Sequence, residues 1–143
     1  MTPKYITAII PTLEENAPAC IILDNYGNQM TYYCTVNQYI NQLARLTGNS
    51  HKACRKLFPH MRATGLRFND ATTFLALKMT DTAPSLGYVR YDAIQNFEPQ
   101  ETGCLLHLKK GHPIPIHWSL PTVVKHIARL QKAFGLRGLP FTI

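Results

Sequence analysis

A strand–turn–strand–helix signature occurs near each end of this chain, in register with itself. Residues 20–46 align without a gap over residues 104–130, 84 positions later. Cys20 falls on Cys104, Gly27 on Gly111, and Ala44-Arg45-Leu46 on Ala128-Arg129-Leu130. Residue class agrees more widely than identity. Ile21 and Ile22 meet Leu105 and Leu106, Met30 meets Ile114, and Tyr32 meets Ile116. Thr35 and Ser119, both good helix caps, coincide. Val36, Ile40 and Leu43 meet Leu120, Val124 and Ile127 at helical spacing. Common descent and convergence both explain the match, and both give the same architecture. A lone hairpin is marginal, so each needs its helix or a wider sheet over its apolar face.

The remaining elements follow from spacing and turn chemistry. The pattern predicts a strand over residues 4–13 and a loop over 14–18. A hairpin follows, with its turn at Asp24-Asn25-Tyr26-Gly27-Asn28 and its second arm from Met30 to Cys34. Thr35 then caps a helix whose stripe is Val36, Tyr39, Ile40 and Leu43, ending before Gly48. Ser50 caps a short helix over residues 51–58, with Ala53, Cys54 and Leu57 apolar and Pro59 as its stop. Thr64-Gly65 reads as a break, 66–68 and 72–79 as strands, and 80–87 as a loop punctuated by Pro84 and Gly87. Residues 88–97 read as one strand, followed by a loop at 98–102. A hairpin then turns at Lys109-Lys110-Gly111-His112. Pro113 and Pro115 cannot donate ladder hydrogen bonds, which puts the returning strand at a sheet edge. Ser119 caps the last helix, Pro121 sits in its first turn, and Val123, Val124, Ile127 and Leu130 form its stripe. The tail from Phe134 reads as irregular.

The expected fold class is therefore α+β, mostly antiparallel, with two similar hairpin–helix units and a short central helix. The units span residues 1–48 and 88–143. They flank a basic central helix and hairpin at 49–87, all within one compact domain. With 45% hydrophobic residues the chain has material for a real core. No apolar run approaches the ~20 residues a membrane helix needs, and residues 1–11 are too short for a secretory signal. The expected location is the cytoplasm. Cys20, Cys34, Cys54 and Cys104 are then expected to be reduced thiols, mostly buried.

The net charge of +7 is unevenly spread. Residues 1–46 carry two basic and three acidic side chains, residues 47–87 six against two, and residues 88–143 seven against three. A localised positive field attracts polyanions. Its elements are a segment with Lys52, Arg55, Lys56 and Arg62, then Arg67. They continue with the hairpin tip Lys109, Lys110 and His112, the helix face Lys125, Arg129 and Lys132, and finally Arg137. These twelve residues are the candidate nucleic-acid contacts, with double-stranded DNA as the expected partner.

Other chemistries find less support. His51, Cys54, His107, His112 and His117 are ligand types, but no Cys-x-x-Cys pair accompanies them, and no metal is expected. Cys54 lies on an apolar stripe, where a core role fits better than a nucleophile's. No acid pair of the glycosidase kind and no glycine-rich phosphate loop is present. Neither a catalytic set nor a cofactor is expected. An alternative to nucleic-acid binding is a protein-interaction module, or a homodimer, using Tyr26, Tyr32 and Trp118.

The C-terminal unit resembles the opening part of a LytTR-type DNA-binding domain. The resemblance rests on Ile94, Phe97, Glu98, Leu106, Gly111, Ile116, Ser119 and Leu120. Residues 5–46 resemble it through Ile10, Leu13, Glu14, Gly27, Thr35 and Val36. The resemblance implies a DNA-binding transcriptional regulator. In that family a Phe-x-Arg-x-His-Arg/Lys-Ser element follows the helix. After Leu130 this chain has Phe134-Gly135-Leu136-Arg137-Gly138 instead.

Overall fold

A strand with no polar face must be covered on both sides, and Thr73-Phe74-Leu75-Ala76-Leu77 is such a strand. The computed structural model describes residues 2–47, 63–68, 71–82 and 85–138. In it this segment forms β5 (Thr73–Lys78), inside a six-stranded antiparallel sheet. The sheet order is β3 (Gln29–Tyr32), β2 (Ala17–Asp24), β1 (Ile6–Glu14), β6 (Leu86–Arg90), β5, and β4 (Gly65–Arg67).

The two faces of this sheet carry two separate cores. Phe74, Ala76, Tyr88, Ile6, Ile9, Cys20 and Ile22 belong to one, covered by Val36, Tyr39, Ile40 and Leu43 of helix α1 (Val36–Leu46). Leu75, Leu77, Ala8 and Val89 belong to the other. It is covered by a three-stranded sheet, β7 (Ile94–Pro99), β8 (Cys104–Leu108) and β9 (Ile114–Ile116), and by helix α2 (Leu120–Phe134). Phe97, Leu106, Ile116, Val123, Ile127 and Leu130 supply its apolar atoms. The two helices thus lie on opposite faces of the larger sheet.

The repeat extends beyond what alignment alone reveals. Cys20 opposes Tyr32 as Cys104 opposes Ile116, and Ile22 opposes Met30 as Leu106 opposes Ile114. Each unit opens with one 3₁₀ turn, Pro3–Tyr5 and Tyr91–Ala93. Each then has a strand whose register slips after its first residue, between Ile6 and Ala8 and between Ile94 and Asn96. The Asn25 amide donates to the Tyr5 carbonyl at 3.1 Å, as the Lys109 amide donates to that of Ala93 at 3.0 Å. Upstream of the first hairpin turn the offset becomes 88, because the β1–β2 ladder runs on to pair Glu14 with Ala17. The β7–β8 ladder ends at Pro99 opposite Cys104, with Gln100 closing on Gly103 at 3.1 Å.

Several expectations change. The expected loop at 14–18 is strand but for a two-residue turn at Glu15-Asn16, with Glu14 ending β1 and Ala17 and Pro18 already in β2. Glu15 (φ 50°) and Asn16 (φ 64°) both take the left-handed conformation that matches strand twist. Residues 88–97 are two strands in different sheets, parted by the Tyr91–Ala93 turn. Gly65 and Gly87 lie within strands. A Cβ on Gly87 would sit 2.2 Å from Met79 Sδ, so the glycine answers close packing and not a turn. Val124 leaves the predicted stripe and is exposed. Ser119 occupies the cap position of α2, yet its hydroxyl pairs with Thr122 Oγ1 and no backbone amide. The expected central helix at 51–58 lies outside the described residues. The edge position of β9 and the stripe of α1 match expectation.

Thr35 does more than predicted. Its Oγ1 accepts from the Gln38 amide at 3.1 Å, and its own amide donates to Gln38 Oε1 at 2.9 Å, a complete capping box. Thr35→Ala is expected to lower stability by about 1 kcal/mol. A shift in the urea midpoint with unchanged slope would register it.

Candidate nucleic-acid interface

Helix α2 contains no acidic residue, and this sets the character of its outer face. Its inner stripe of Val123, Ile127 and Leu130 is buried. Outward it presents Val124, Lys125, Ala128, Arg129 and Lys132, all exposed. Lys125 to Lys132 spans seven residues, about 10 Å of helix at ~1.5 Å per residue. Among the described residues none of these cations forms an ion pair.

The helix is held firmly at both ends. Trp118 stacks on His126 with ring centroids 4.0 Å apart and planes 16° apart. Burial pushes the His126 imidazole below its ordinary pKa, and the nearby Arg129 adds to that. His126 is therefore mainly neutral at pH 7, and the charge of the face comes from Lys and Arg alone. At the C-terminus Gly135 takes a left-handed φ of 64°, and the Leu136 amide donates to the Gln131 carbonyl at 2.9 Å. Arg67 donates to the Phe134 carbonyl at 3.0 Å and lies over the Phe134 ring. Gln131 donates to the Tyr91 hydroxyl at 3.0 Å and to the Gly138 carbonyl at 2.8 Å. The tail to Gly138 is thus anchored to the helix it follows.

The β8–β9 turn carries Lys109, Lys110 and His112, all exposed, around Gly111 at φ 100°. Its counterpart in the first unit is chemically different. There Asp24 accepts from the Tyr26 and Asn28 amides at 2.8 and 2.9 Å. Desolvation opposes ionisation of Asp24, but these amides and that of Gly27 outweigh it and hold the carboxyl below its usual pKa.

Lys109, Lys110, His112, Lys125, Arg129, Lys132 and Arg137 are all solvent-exposed on the C-terminal unit. Arg67 is engaged within the molecule. Lys52, Arg55, Lys56 and Arg62 lie outside the described residues. One arginine absent from the expected set has a structural task. Arg90 Nη1 donates to the Lys4 and Ile6 carbonyls at 2.8 and 3.1 Å and to Asn25 Oδ1, while its Nε pairs with Asp92. It joins β6 to the bulge and turn of the first unit. Only its partners 65 to 86 residues away reveal this role.

Tyr32 and Trp118, expected on the surface, are half-buried: Tyr32 packs against Tyr39 and Trp118 against His126. Tyr33 is exposed in their place.

His107 pairs with Glu98 and His117 with Asp81, each at 3.0 Å. Among the described residues no three His, Cys, Asp or Glu side chains gather as metal ligands. An open cleft of about 510 Å³ holds Asp81, His117 and Cys104 among its lining. Burial pushes the Cys104 thiol up, and it donates to the Trp118 carbonyl, so it is no thiolate nucleophile. No described helix is long and apolar enough to cross a membrane. Comparison with family models, curated proteins and solved structures found no match to this chain.

Proposed function

We propose that this chain binds double-stranded DNA as a transcriptional regulator, with α2 as the principal contact and the Lys109-Lys110 tip as an outrigger. One observation carries the reading: a helix tied down at its C-terminal turn, with three exposed cations, no acid, and Ala128 exposed between Lys125 and Arg129. Cations along one helix stripe neutralise phosphates, and Ala128 and Val124 suit apolar contact with thymine methyl groups in a major groove. The LytTR resemblance of residues 88–130 agrees with this reading. Residues 131–143 do not carry the family's distal element, and this reading places the contact on the helix face.

Fluorescence anisotropy with a labelled random-sequence duplex at a series of salt concentrations tests the proposal. About six neutralised phosphates give a slope near −5 for log affinity against log salt. Absence of binding at low salt, or affinity indifferent to salt, would sink it. Tighter binding to single strands than to duplex would move the contact away from a groove.

A second reading has one observation of its own. The edge strand β3 and its flanks expose Met30 (50%), Tyr26 (77%) and Tyr33 (82%). An edge left unpaired among the described residues, beside exposed aromatic rings, suits a protein partner or a second copy. Sedimentation of the chain across a concentration range separates self-association from the monomer.

A further inference from the structure

Among the described residues the two sheets end in four edge strands, and three of them are guarded against pairing. β4 has only three residues and carries Arg67, β7 carries Glu98 and Pro99, and β9 carries Pro115. β3, Gln29-Met30-Thr31-Tyr32, has neither a charge nor a proline. It lies within the longest uncharged run of the chain, Asn25 to Ala44, which holds no Asp, Glu, Lys, Arg or His.

The internal repeat identifies the groups of β3 that face outward. Pro115 stands opposite Leu105 in the β8–β9 ladder. Without an N–H it keeps that place only with its nitrogen on the outer side. Thr31, opposite Ile21, is its counterpart in β3. The bonds to β2 therefore fall to Met30 and Tyr32, as those to β8 fall to Ile114 and Ile116. The backbone amides and carbonyls of Gln29 and Thr31 point away from the sheet. No hydrogen bond reaches them there among the described residues. Gln29, Met30 and Thr31 are all exposed.

We propose that β3 pairs antiparallel with β3 of a second copy about a two-fold axis, joining two six-stranded sheets edge to edge. This rests on the reading of β3 as a contact edge and names its occupant. Charge favours a second copy. Two chains of +7 repel each other most through the basic helix and hairpin tip, and least through a strand that carries no charge. An acidic or basic strand would find no counter-charge on β3, whereas an identical strand brings none. The fit is self-complementary: the outward donors and acceptors of Gln29 and Thr31 meet the same groups in reverse, and the second strand covers Met30. Such an isologous contact closes at two copies.

Sedimentation velocity of the full chain over a concentration range tests this, with two variants alongside. The wild type is expected to pass from monomer to dimer as concentration rises. Thr31→Pro copies the guard of β9. It removes an outward donor and keeps the ladder to β2, as Pro115 keeps the ladder to β8. It is expected to weaken dimerisation about 30-fold or more, because the axis counts each lost hydrogen bond twice. Met30→Lys brings two cations together across the axis, and its dimer is expected to be weaker at low salt and to recover partly as salt rises. Both variants are expected to keep the circular dichroism spectrum of the wild type. A wild type that stays monomeric throughout overturns the second copy and leaves the edge to a different protein. A dimer that neither substitution weakens overturns the proposal and the contact role of β3 together.

Discussion

Replacing Lys125, Arg129 and Lys132 together by Gln is expected to weaken duplex binding about 10²-fold or more at low salt. The same change lowers the salt slope by about 3, close to one unit per lost phosphate contact. Gln keeps the helix propensity and much of the stem of each side chain, so the folded protein should melt as the wild type does. The three residues lie outside the buried stripe of α2, and none supports the core. The informative control is Arg45→Gln. Arg45 is the repeat counterpart of Arg129 and is also exposed. It sits on α1, across the sheet from α2. If α2 is the contact, Arg45→Gln leaves the slope within about one unit of wild type. Equal effects from both changes would mean a diffuse charge effect and would remove the case for α2 as a docking helix.

Gly65→Ala is expected to cost about 3 kcal/mol, although strand propensity alone predicts a small gain from removing a glycine. A Cβ at this position would lie 2.2 Å from the Phe74 carbonyl oxygen and 2.3 Å from Leu130 Cδ1. Neither neighbour yields easily. Phe74 is fully buried in β5, and Leu130 is fully buried on the inner stripe of α2. The added methyl therefore pushes β4 from β5 or α2 from the sheet. Urea unfolding would give the loss in stability. The single tryptophan, Trp118, precedes α2 and stacks against it, so its emission reports whether the helix shifts. A variant as stable as wild type would show that β4 packs less closely than described.

The sequence was most legible where structure is local. The Asp24–Asn28 turn, the Thr35 cap, the α1 stripe and the edge placement of the Pro115 strand each depend on a few adjacent residues. The division at Tyr91–Ala93 was not legible, because no Gly or Pro marks it and both flanks are apolar. What parts the strands is their allegiance to different sheets. Gly65 and Gly87 misled for a related reason. Glycine usually signals a turn, while here it makes room for atoms contributed by distant segments. The candidate site divides in the same way. Exposed cations on α2 and the β8–β9 turn follow from spacing and turn chemistry. The inward use of Arg67 depends on Phe134, 67 residues on, which no local pattern reveals.

The unequal lengths of the two corresponding hairpins have a practical side. In the second unit the ladder stops at Pro99 opposite Cys104, and the core beneath it is complete. In the first, residues 13–18 run past the equivalent point and are exposed. That extension is thus an insertion point already tolerated by the architecture. Residues 13–18 can be exchanged for an epitope, a protease site or a fluorophore-bearing peptide, giving a handle outside the helix that carries the charge.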